Sequence, residues 1–125
     1  MADRRAAERR GRRGELLAAA ALALKGYSIL ERRAKTKVGE IDLIARRGRL
    51  LAIIEVKARP TPEDCLDAVT PKAWRRIEQA TRIWIARRPI VQTYEVRFDV
   101  VAVTPRRWPK HFRGAWRPDF APTGF

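Results

Sequence analysis

The chain has 125 residues, and its 28 Lys and Arg against 14 Asp and Glu give a net charge of +14. This length accommodates one domain with one hydrophobic core and excludes a second, while a single cysteine, Cys65, excludes an intrachain disulfide and favours the cytoplasm. The charge favours a polyanionic partner, with nucleic acid ahead of an anionic membrane surface.

The N-terminal region predicts a helix from Arg4 to Lys25 that ends at Gly26. Residues 1–10 are predicted to be a basic extension of the domain. Six arginines in the first thirteen residues, followed by a run of Ala and Leu, also resemble a signal peptide cleaved at Ala21-Leu22-Ala23, and the sequence leaves that alternative open. The apolar run is too short to span a bilayer, so no membrane partner is predicted.

Glu15 is the acidic residue of interest on this helix. Helical spacing places it on one stripe with Ala18, Ala19 and Leu22, so its side chain is predicted to point toward whatever that stripe packs on. A glutamate in the first turn of a helix also suits the helix dipole. The two roles are compatible, and both stay open.

The rest of the chain predicts strands that alternate with a second helix. This order indicates a single α/β or α+β domain in which helices flank a central mixed β-sheet. Residues 58–70 are predicted to be a loop because of their prolines, and residues 104–125, rich in Pro, Trp and Arg, an irregular basic tail. The predicted elements are a strand at 27–33, a hairpin of two strands around Gly48, and a strand at 93–103. A second helix is predicted to be capped by Thr70, to have Pro71 at its first position and to end at Arg88.

The hairpin carries two carboxylates and a lysine inside otherwise apolar strands. If Gly48-Arg49 forms a type II′ turn, the register places Asp42 directly opposite Glu55. A turn one residue earlier would place Glu40 there instead. Because side chains alternate along a strand, Lys57 lies on the face of Glu55. Either register therefore gathers charged groups at one end of the hairpin.

Such groups are costly to bury unless they are paired or bind a cation. Cross-strand Cβ atoms lie about 5 Å apart, where two like charges repel each other and a divalent cation would bind both. The alternative is a solvated sheet edge with an ordinary Glu–Lys ion pair. The opposite face is predicted to be wholly apolar and to consist of Ile41, Leu43, Ala52, Ile54 and Val56.

Other reactive or aromatic side chains are mostly predicted to be structural. His111 is the only histidine, which excludes a histidine cluster for zinc. Asp99 is predicted to pair with a neighbouring arginine, and Cys65 to be a passive thiol in a loop. Trp74 and Trp84 are predicted to be core residues. Trp108 and Trp116 are candidates for stacking on bases.

Seven segments of the chain, taken in order, carry a resemblance to a known family. They are Gly11-Arg12-Arg13-Gly14-Glu15, Gly26-Tyr27, Gly39-Glu40-Ile41-Asp42-Leu43-Ile44, Glu55-Val56-Lys57-Ala58-Arg59, Lys72, Arg97-Phe98-Asp99-Val100-Val101 and His111 to Trp116. Together they resemble the bacterial YraN-like family, which is similar in fold and motif to the PD-(D/E)XK nucleases, especially archaeal Holliday junction resolvases. The resemblance covers most of the chain and implies a restriction-endonuclease-like fold.

The resemblance also implies a metal-dependent nuclease site. Asp42 and Glu55 would be the paired metal-binding carboxylates and Lys57 the catalytic lysine. Glu15 would be a further catalytic and metal-binding acid, carried by the helix. Hard oxygen ligands of this kind suit Mg²⁺ or Mn²⁺, which polarise a phosphodiester and generate the attacking hydroxide.

The chain departs from the related patterns at two places. Ile41 precedes Asp42 where the superfamily name has proline, although the YraN-like pattern itself has isoleucine there. Arg33 and Ala34 stand where many relatives have Asn and an aromatic residue, so the local packing is expected to differ.

The predicted function is that of a cytoplasmic endonuclease that binds nucleic acid and hydrolyses structured or branched DNA with Mg²⁺ or Mn²⁺, with DNA favoured over RNA. A homodimer, as in resolvases, is one predicted assembly. The first alternative is a non-catalytic nucleic-acid-binding protein that keeps the nuclease fold, and the second is an interaction protein with an acidic partner. The residues predicted to contact nucleic acid are Arg12, Arg13, Arg33, Lys72, Arg106, Arg107 and Arg113.

Overall fold

The computed structural model describes residues 2–118, with side chains described from Gly11 onward. The helices are α1 (Ala2–Leu24), α2 (Pro62–Asp67) and α3 (Pro71–Ala86), and a short 3₁₀ turn spans Pro89–Val91. The strands are β1 (Ser28–Thr36), β2 (Gly39–Arg47), β3 (Leu50–Ala58), β4 (Glu95–Val103) and β5 (Lys110–Trp116).

The ends of the long helices follow from local sequence. Thr70 caps α3, since its hydroxyl accepts a hydrogen bond from the backbone N–H of Ala73 at 3.1 Å, and Pro71 occupies the first helical position. At the end of α1, Gly26 adopts φ +91°, a conformation that glycine reaches without a steric penalty. The predicted cap of α3 and the predicted end of α1 are therefore confirmed.

The five strands form one sheet in the order β1-β2-β3-β4-β5. All neighbouring strands are antiparallel except β3 and β4, which are parallel. A parallel pair needs a crossover connection, and the segment that contains α2 and α3 supplies it. The predicted α/β domain with a mixed sheet flanked by helices is thus confirmed, and the architecture is consistent with a restriction-endonuclease-like fold.

The two long helices cover opposite faces of the sheet, because alternate strand residues pack against different helices. The α1-side cluster is buried around Ala18 and Leu22 of α1 and consists otherwise of Tyr27, Leu43, Ala45, Ala52, Ile54 and Val101. The α3-side cluster surrounds Trp74, Ile77 and Trp84 of α3, together with strand residues such as Ile44, Leu51, Ile53, Phe98 and Val100. The prediction that Trp74 and Trp84 are core residues is confirmed, since both are buried.

The β2–β3 hairpin has the register that its turn predicts. Gly48 has a positive φ of +61° and Arg49 does not, as a type II′ turn requires. Strand pairing runs from Arg47–Leu50 at the turn to Leu43–Ile54, and the same register brings Asp42 opposite Glu55. The alternative register, with Glu40 opposite Glu55, is wrong.

One part of the predicted apolar face is wrong. Ile41 packs in the α3-side cluster, whereas Leu43 and Ile54 belong to the α1-side cluster. The physical reason lies between them, where the backbone pairing of β2 with β3 stops and the side chain of Asp42 takes over a strand hydrogen bond. This interruption breaks the simple alternation of side chains on which the prediction depended.

Two segments predicted to be irregular contain regular structure. Residues 58–70 include α2, which begins with the same Thr-Pro capping signal as α3: Thr61 Oγ1 accepts from the N–H of Asp64 at 3.1 Å. Residues 110–116 of the predicted tail form β5, because Phe112 and Trp116 pack against the α3-side cluster. Residues 119–125 of that predicted tail lie outside the described residues.

Within residues 2–118, no helix combines the length and the apolar character that crossing a membrane requires.

Candidate functional site

Asp42 stands where β2 and β3 stop pairing through their backbones. Its Oδ2 accepts a hydrogen bond from the backbone N–H of Val56 at 2.9 Å. The side chain therefore replaces a carbonyl of the strand and is held at the end of the hairpin far from the Gly48 turn. Burial raises the pKa of Asp42 and the charge of Glu15 adds to the increase, although the Val56 N–H opposes it.

Glu55 is the more buried member of the pair. It is 8% exposed, and its Oε1 has no hydrogen-bond partner among the described residues. Burial first, and then the charge of Asp42, raise the pKa of Glu55 well above its usual range. The interaction between the two carboxyl side chains acts in opposite directions, because it raises the pKa of Glu55 and lowers the pKa of Asp42.

Lys57 places its charge beside this pair. The ammonium lowers the pKa of both Asp42 and Glu55, which opposes the effect of burial. Its own backbone is fixed from α2, since the Sγ of Cys65 donates to the carbonyl of Lys57 at 3.3 Å. The prediction that Cys65 lies in a loop is wrong, because Cys65 is a fully buried residue of α2. Its thiol contacts the backbone at the end of β3.

Glu15 points from α1 toward the same end of the hairpin, as its helical stripe predicts. Its side chain is 16% exposed, and its Oε1 accepts a hydrogen bond from Nε of Arg33 at 2.7 Å. The residues that share its stripe, Ala18 and Leu22, are buried in the α1-side cluster. The structure thus brings Glu15, Glu55 and Lys57 within electrostatic reach of Asp42.

The donor set suits a hard divalent cation held by a carboxylate pair. In the part of the chain with described side chains, no three His, Cys, Asp or Glu side chains converge on one point as a metal centre. Asp42 and Glu55 offer carboxylate oxygens, one of them buried without a partner, while Glu15 is engaged by Arg33. Mg²⁺ commonly takes one or two protein carboxylates and completes its shell with water and phosphate oxygens, so this pair fits it.

The other residues predicted to contact nucleic acid lie on separate elements. Arg12, Arg13, Lys72, Arg106, Arg107 and Arg113 are all exposed, on α1, α3, the β4–β5 connection and β5. Arg13 borders a cavity of about 410 Å³ next to the acidic site, together with Arg59, Leu17 and Val103. Of the two candidate stacking residues, Trp108 is 60% exposed, whereas Trp116 stacks on Trp74 and donates to Glu78.

Asp99 pairs with a neighbouring arginine, as predicted, and His111 lies against the same carboxylate. Arg97 donates to both oxygens of Asp99 at 2.8 Å. His111 Nε2 lies 2.8 Å from Oδ2 of Asp99, and the N–H of Gly114 donates to Oδ1 at 3.0 Å. Every hydrogen-bonding direction of this carboxylate is therefore used.

Sequence reasoning missed the contacts that hold the site residues in place. The pairing of Arg33 with Glu15 joins β1 to α1, and that of Cys65 with Lys57 joins α2 to β3. Residue spacing does not predict either contact, because both depend on how separate helices and strands pack together. The departure from Asn at position 33 was the only signal that this place is unusual.

Comparison with known proteins places all four candidate catalytic residues inside a matched region. Residues 14–103 match the family model described as uncharacterised protein family UPF0102. The chain belongs to this family. It is 57% identical over 109 residues to a UPF0102 protein of Chelativorans sp., covering 87% of this chain and 88% of that protein. It is 53% identical over 115 residues to one from Mesorhizobium japonicum, covering 92% of each, and 51% identical to one from Maricaulis maris, covering 92% and 91%.

Proposed function

We propose that this chain is a nucleic-acid-binding endonuclease that hydrolyses phosphodiesters of structured or branched DNA with Mg²⁺ or Mn²⁺. The observation that carries the proposal is the carboxylate pair at the end of the β2–β3 hairpin. Glu55 is buried with Oε1 unpartnered among the described residues, beside Asp42, whose pKa is also raised. A protein that needed only stability would replace such a pair with apolar residues.

The chemistry follows from the types of residue present. Asp42 and Glu55 would hold the cation, with Glu15 as a third acid nearby. When bound, Mg²⁺ or Mn²⁺ supplies Lewis-acid polarisation of the phosphodiester and makes water more acidic. Lys57 lies beside the pair, and its ammonium stabilises the negative charge that accumulates on the phosphate oxygens in the transition state.

The choice of DNA rests on charge and on the resemblance to PD-(D/E)XK nucleases. The net charge of +14 and the exposed arginines supply sequence-independent attraction to a phosphate backbone. Resolvases of that superfamily act on branched DNA, which makes DNA a better substrate than RNA and a homodimer the corresponding assembly. A cytoplasmic location is part of the proposal, because a chain with a single cysteine, Cys65, suits a reducing compartment.

Calorimetry with Mn²⁺ tests the metal site directly. Wild type should bind the ion, whereas Asp42→Asn and Glu55→Gln should not, because each removes a charged ligand of the pair. Glu40→Gln is the matched control, since Glu40 is an exposed acid of the same strand and its loss should leave binding unchanged. Equal binding by wild type and Asp42→Asn would refute the site.

Cleavage of a four-way junction with Mg²⁺ or Mn²⁺ tests the activity. A non-catalytic nucleic-acid-binding protein of the same fold is the second candidate, favoured by the fact that no three potential ligands converge among the described side chains. Wild type that binds the junction with a strong salt dependence but cuts neither DNA nor RNA with either ion would establish that second function.

A further inference from the structure

Arg33 has an unusual backbone for its residue type. Its φ is +54°, in the left-handed region that non-glycine residues enter rarely. For a residue with a long side chain this conformation costs on the order of 1 kcal/mol, and such strain persists only where the surroundings impose it. Strained residues of this kind cluster at functional sites, and Arg33 lies beside one.

The guanidinium of Arg33 is held from only one of its nitrogens. Nε donates to Oε1 of Glu15 at 2.7 Å, which ties β1 to α1. Nη1 and Nη2 make no hydrogen bond with any described residue, and the side chain is 37% exposed. Arginine has five N–H donors in a planar fork, so four of them remain available to a ligand.

The surroundings of Arg33 are acidic. The carboxylates of Glu15, Glu40 and Asp42 all raise the pKa of Arg33, and the largest contribution comes from the hydrogen bond that Arg33 donates to Glu15. A phosphodiester brought to Asp42 would meet the same negative charges and would need cationic donors to offset them. Lys57 supplies a point charge, whereas the guanidinium of Arg33 supplies a fork that matches two phosphate oxygens.

We propose that Arg33 is a phosphate-binding residue of the acidic site and that Glu15 is the residue that positions it. The proposal rests on the proposed function for the nature of the ligand, a DNA phosphodiester at the Asp42–Glu55 pair. Glu15 acts through the guanidinium that it holds at 2.7 Å, so it contributes little to the affinity of the pair for metal.

Arg33→Asn is the decisive variant, because asparagine tolerates the left-handed conformation while it lacks the guanidinium. The affinity for a four-way junction, measured with Ca²⁺ in place of Mn²⁺, should fall roughly ten-fold, the effect of one lost charge-assisted hydrogen bond. Mn²⁺ affinity measured by calorimetry should not fall. Arg32→Asn removes the same charge from the exposed neighbour on β1 and should stay near wild type.

Glu15→Gln separates positioning from metal binding. If Glu15 orients Arg33, this variant should raise KM in the direction of Arg33→Asn, by a larger factor than it lowers kcat, and leave Mn²⁺ affinity intact. The double variant should then be no weaker in junction binding than Arg33→Asn alone, since residues that act through one contact are not additive. Arg33→Lys should recover the charge but only part of the affinity.

Three outcomes would overturn the proposal. The first is a loss of Mn²⁺ binding in Glu15→Gln as complete as in Asp42→Asn. The second is an equal loss of junction affinity in Arg32→Asn and Arg33→Asn. The third is a loss of junction affinity in the double variant that equals the sum of the two single losses. The readouts also separate this proposal from the proposed function. If wild type binds the junction but does not cut it, the catalytic function is refuted and the role of Arg33 can still be tested by affinity. If wild type does not bind the junction, both proposals are refuted.

Discussion

Two buried acidic positions lie on adjacent strands of the sheet, and their chemistry differs completely. Asp99 of β4 is fully buried and receives hydrogen bonds from Arg97, His111 and Gly114. Burial alone would raise its pKa, but these bonds together lower the pKa of Asp99. Glu55 of β3 is nearly as buried, yet its Oε1 has no partner among the described residues, and its pKa is raised well above the usual range.

The hydrogen-bond partners of the two carboxylates account for this difference. At Asp99 the fold surrounds the charge with donors, so ionisation contributes to stability. At the Asp42–Glu55 pair the fold leaves two acids side by side and supplies one backbone N–H, so ionisation works against stability. Burial is common to both sites, and only the set of hydrogen-bond partners tells them apart.

The largest expected effect is on stability at Asp99. Asp99→Asn removes the negative charge that Arg97 and His111 both contact. Breaking a buried pair in this way lowers the free energy of unfolding by about 3–5 kcal/mol. Urea unfolding in EDTA should show a loss of this size. Asp42→Asn is the matched change at the other site and should lose far less, because Asp42 accepts one backbone hydrogen bond and its burial already works against its charge. Equal losses at the two positions would erase the distinction.

The next effect is on catalysis at Lys57. Lys57→Ala should slow cleavage of a four-way junction about 100-fold to 1000-fold, as removal of a single donor to transition-state charge does elsewhere. The free energy of unfolding should change by about 1 kcal/mol or less, since the lysine is only half-buried. Lys35→Ala, an exposed lysine on β1, is the control for loss of charge. A Lys57→Ala rate equal to wild type would show that Lys57 is not catalytic.

A smaller effect, of opposite sign, is expected at Glu55. A raised pKa means that the folded chain holds its proton more tightly than the unfolded chain, so the stability of wild type falls as pH rises above about 4.3. Glu55→Gln has no proton to lose, and it should therefore be more stable than wild type at pH 7, on the order of 1 kcal/mol. The gain should vanish below about pH 4.

Asp99 provides the matched pH control for that experiment. Because its pKa is lowered, its contribution to stability is complete above about pH 3.9 and is lost as pH falls through the folded value. Melting temperatures of wild type and Glu55→Gln between pH 3 and pH 8, in EDTA, should separate the two trends. A variant less stable than wild type at neutral pH would contradict the sign assigned to Glu55.

The smallest effect concerns cations remote from both carboxylate sites. Residues 1–10 hold four arginines, and their removal should flatten the slope of log affinity against log salt by about 0.9 for each phosphate that these arginines neutralise. Mn²⁺ binding by the pair should stay intact. The paired substitution of Arg106 and Arg107 by Gln tests the β4–β5 connection in the same way. An unchanged slope would show that the altered segment does not contact DNA.

The part of the site that could be predicted is the part set by local chemistry. Asp42 faces Glu55 because a glycine in the first central position of a two-residue turn fixes the register of the hairpin. The caps of α3 and the end of α1 also follow from a few adjacent residues. The start of α2 also follows from local sequence, because Thr61 caps the helix and Pro62 occupies its first position. The prolines of this segment were interpreted as signs of a loop instead.

The rest depends on packing between distant segments. β5 does not alternate clearly, and it forms a strand because the partly buried side chains of Phe112 and Trp116 pack against the α3-side cluster. Arg33 reaches Glu15 only after α1 has packed on the sheet, and no periodicity encodes that approach. The interruption beside Asp42 moved Ile41 to the other cluster for the same reason, since a side chain replaced a backbone partner.

The parallel pairing of β3 with β4 has a consequence for the order of folding. The hairpin that carries Asp42 and Glu55 closes a short loop, an event of microseconds, whereas β4 must wait for α2 and α3 to bridge the crossover. Non-local parallel pairing is the slow step of such topologies. We therefore expect the two acids to come together while they are still hydrated, and to lose their water only when β4 and α1 pack. The free-energy cost of burying them should then raise the rate of unfolding more than it lowers the rate of folding.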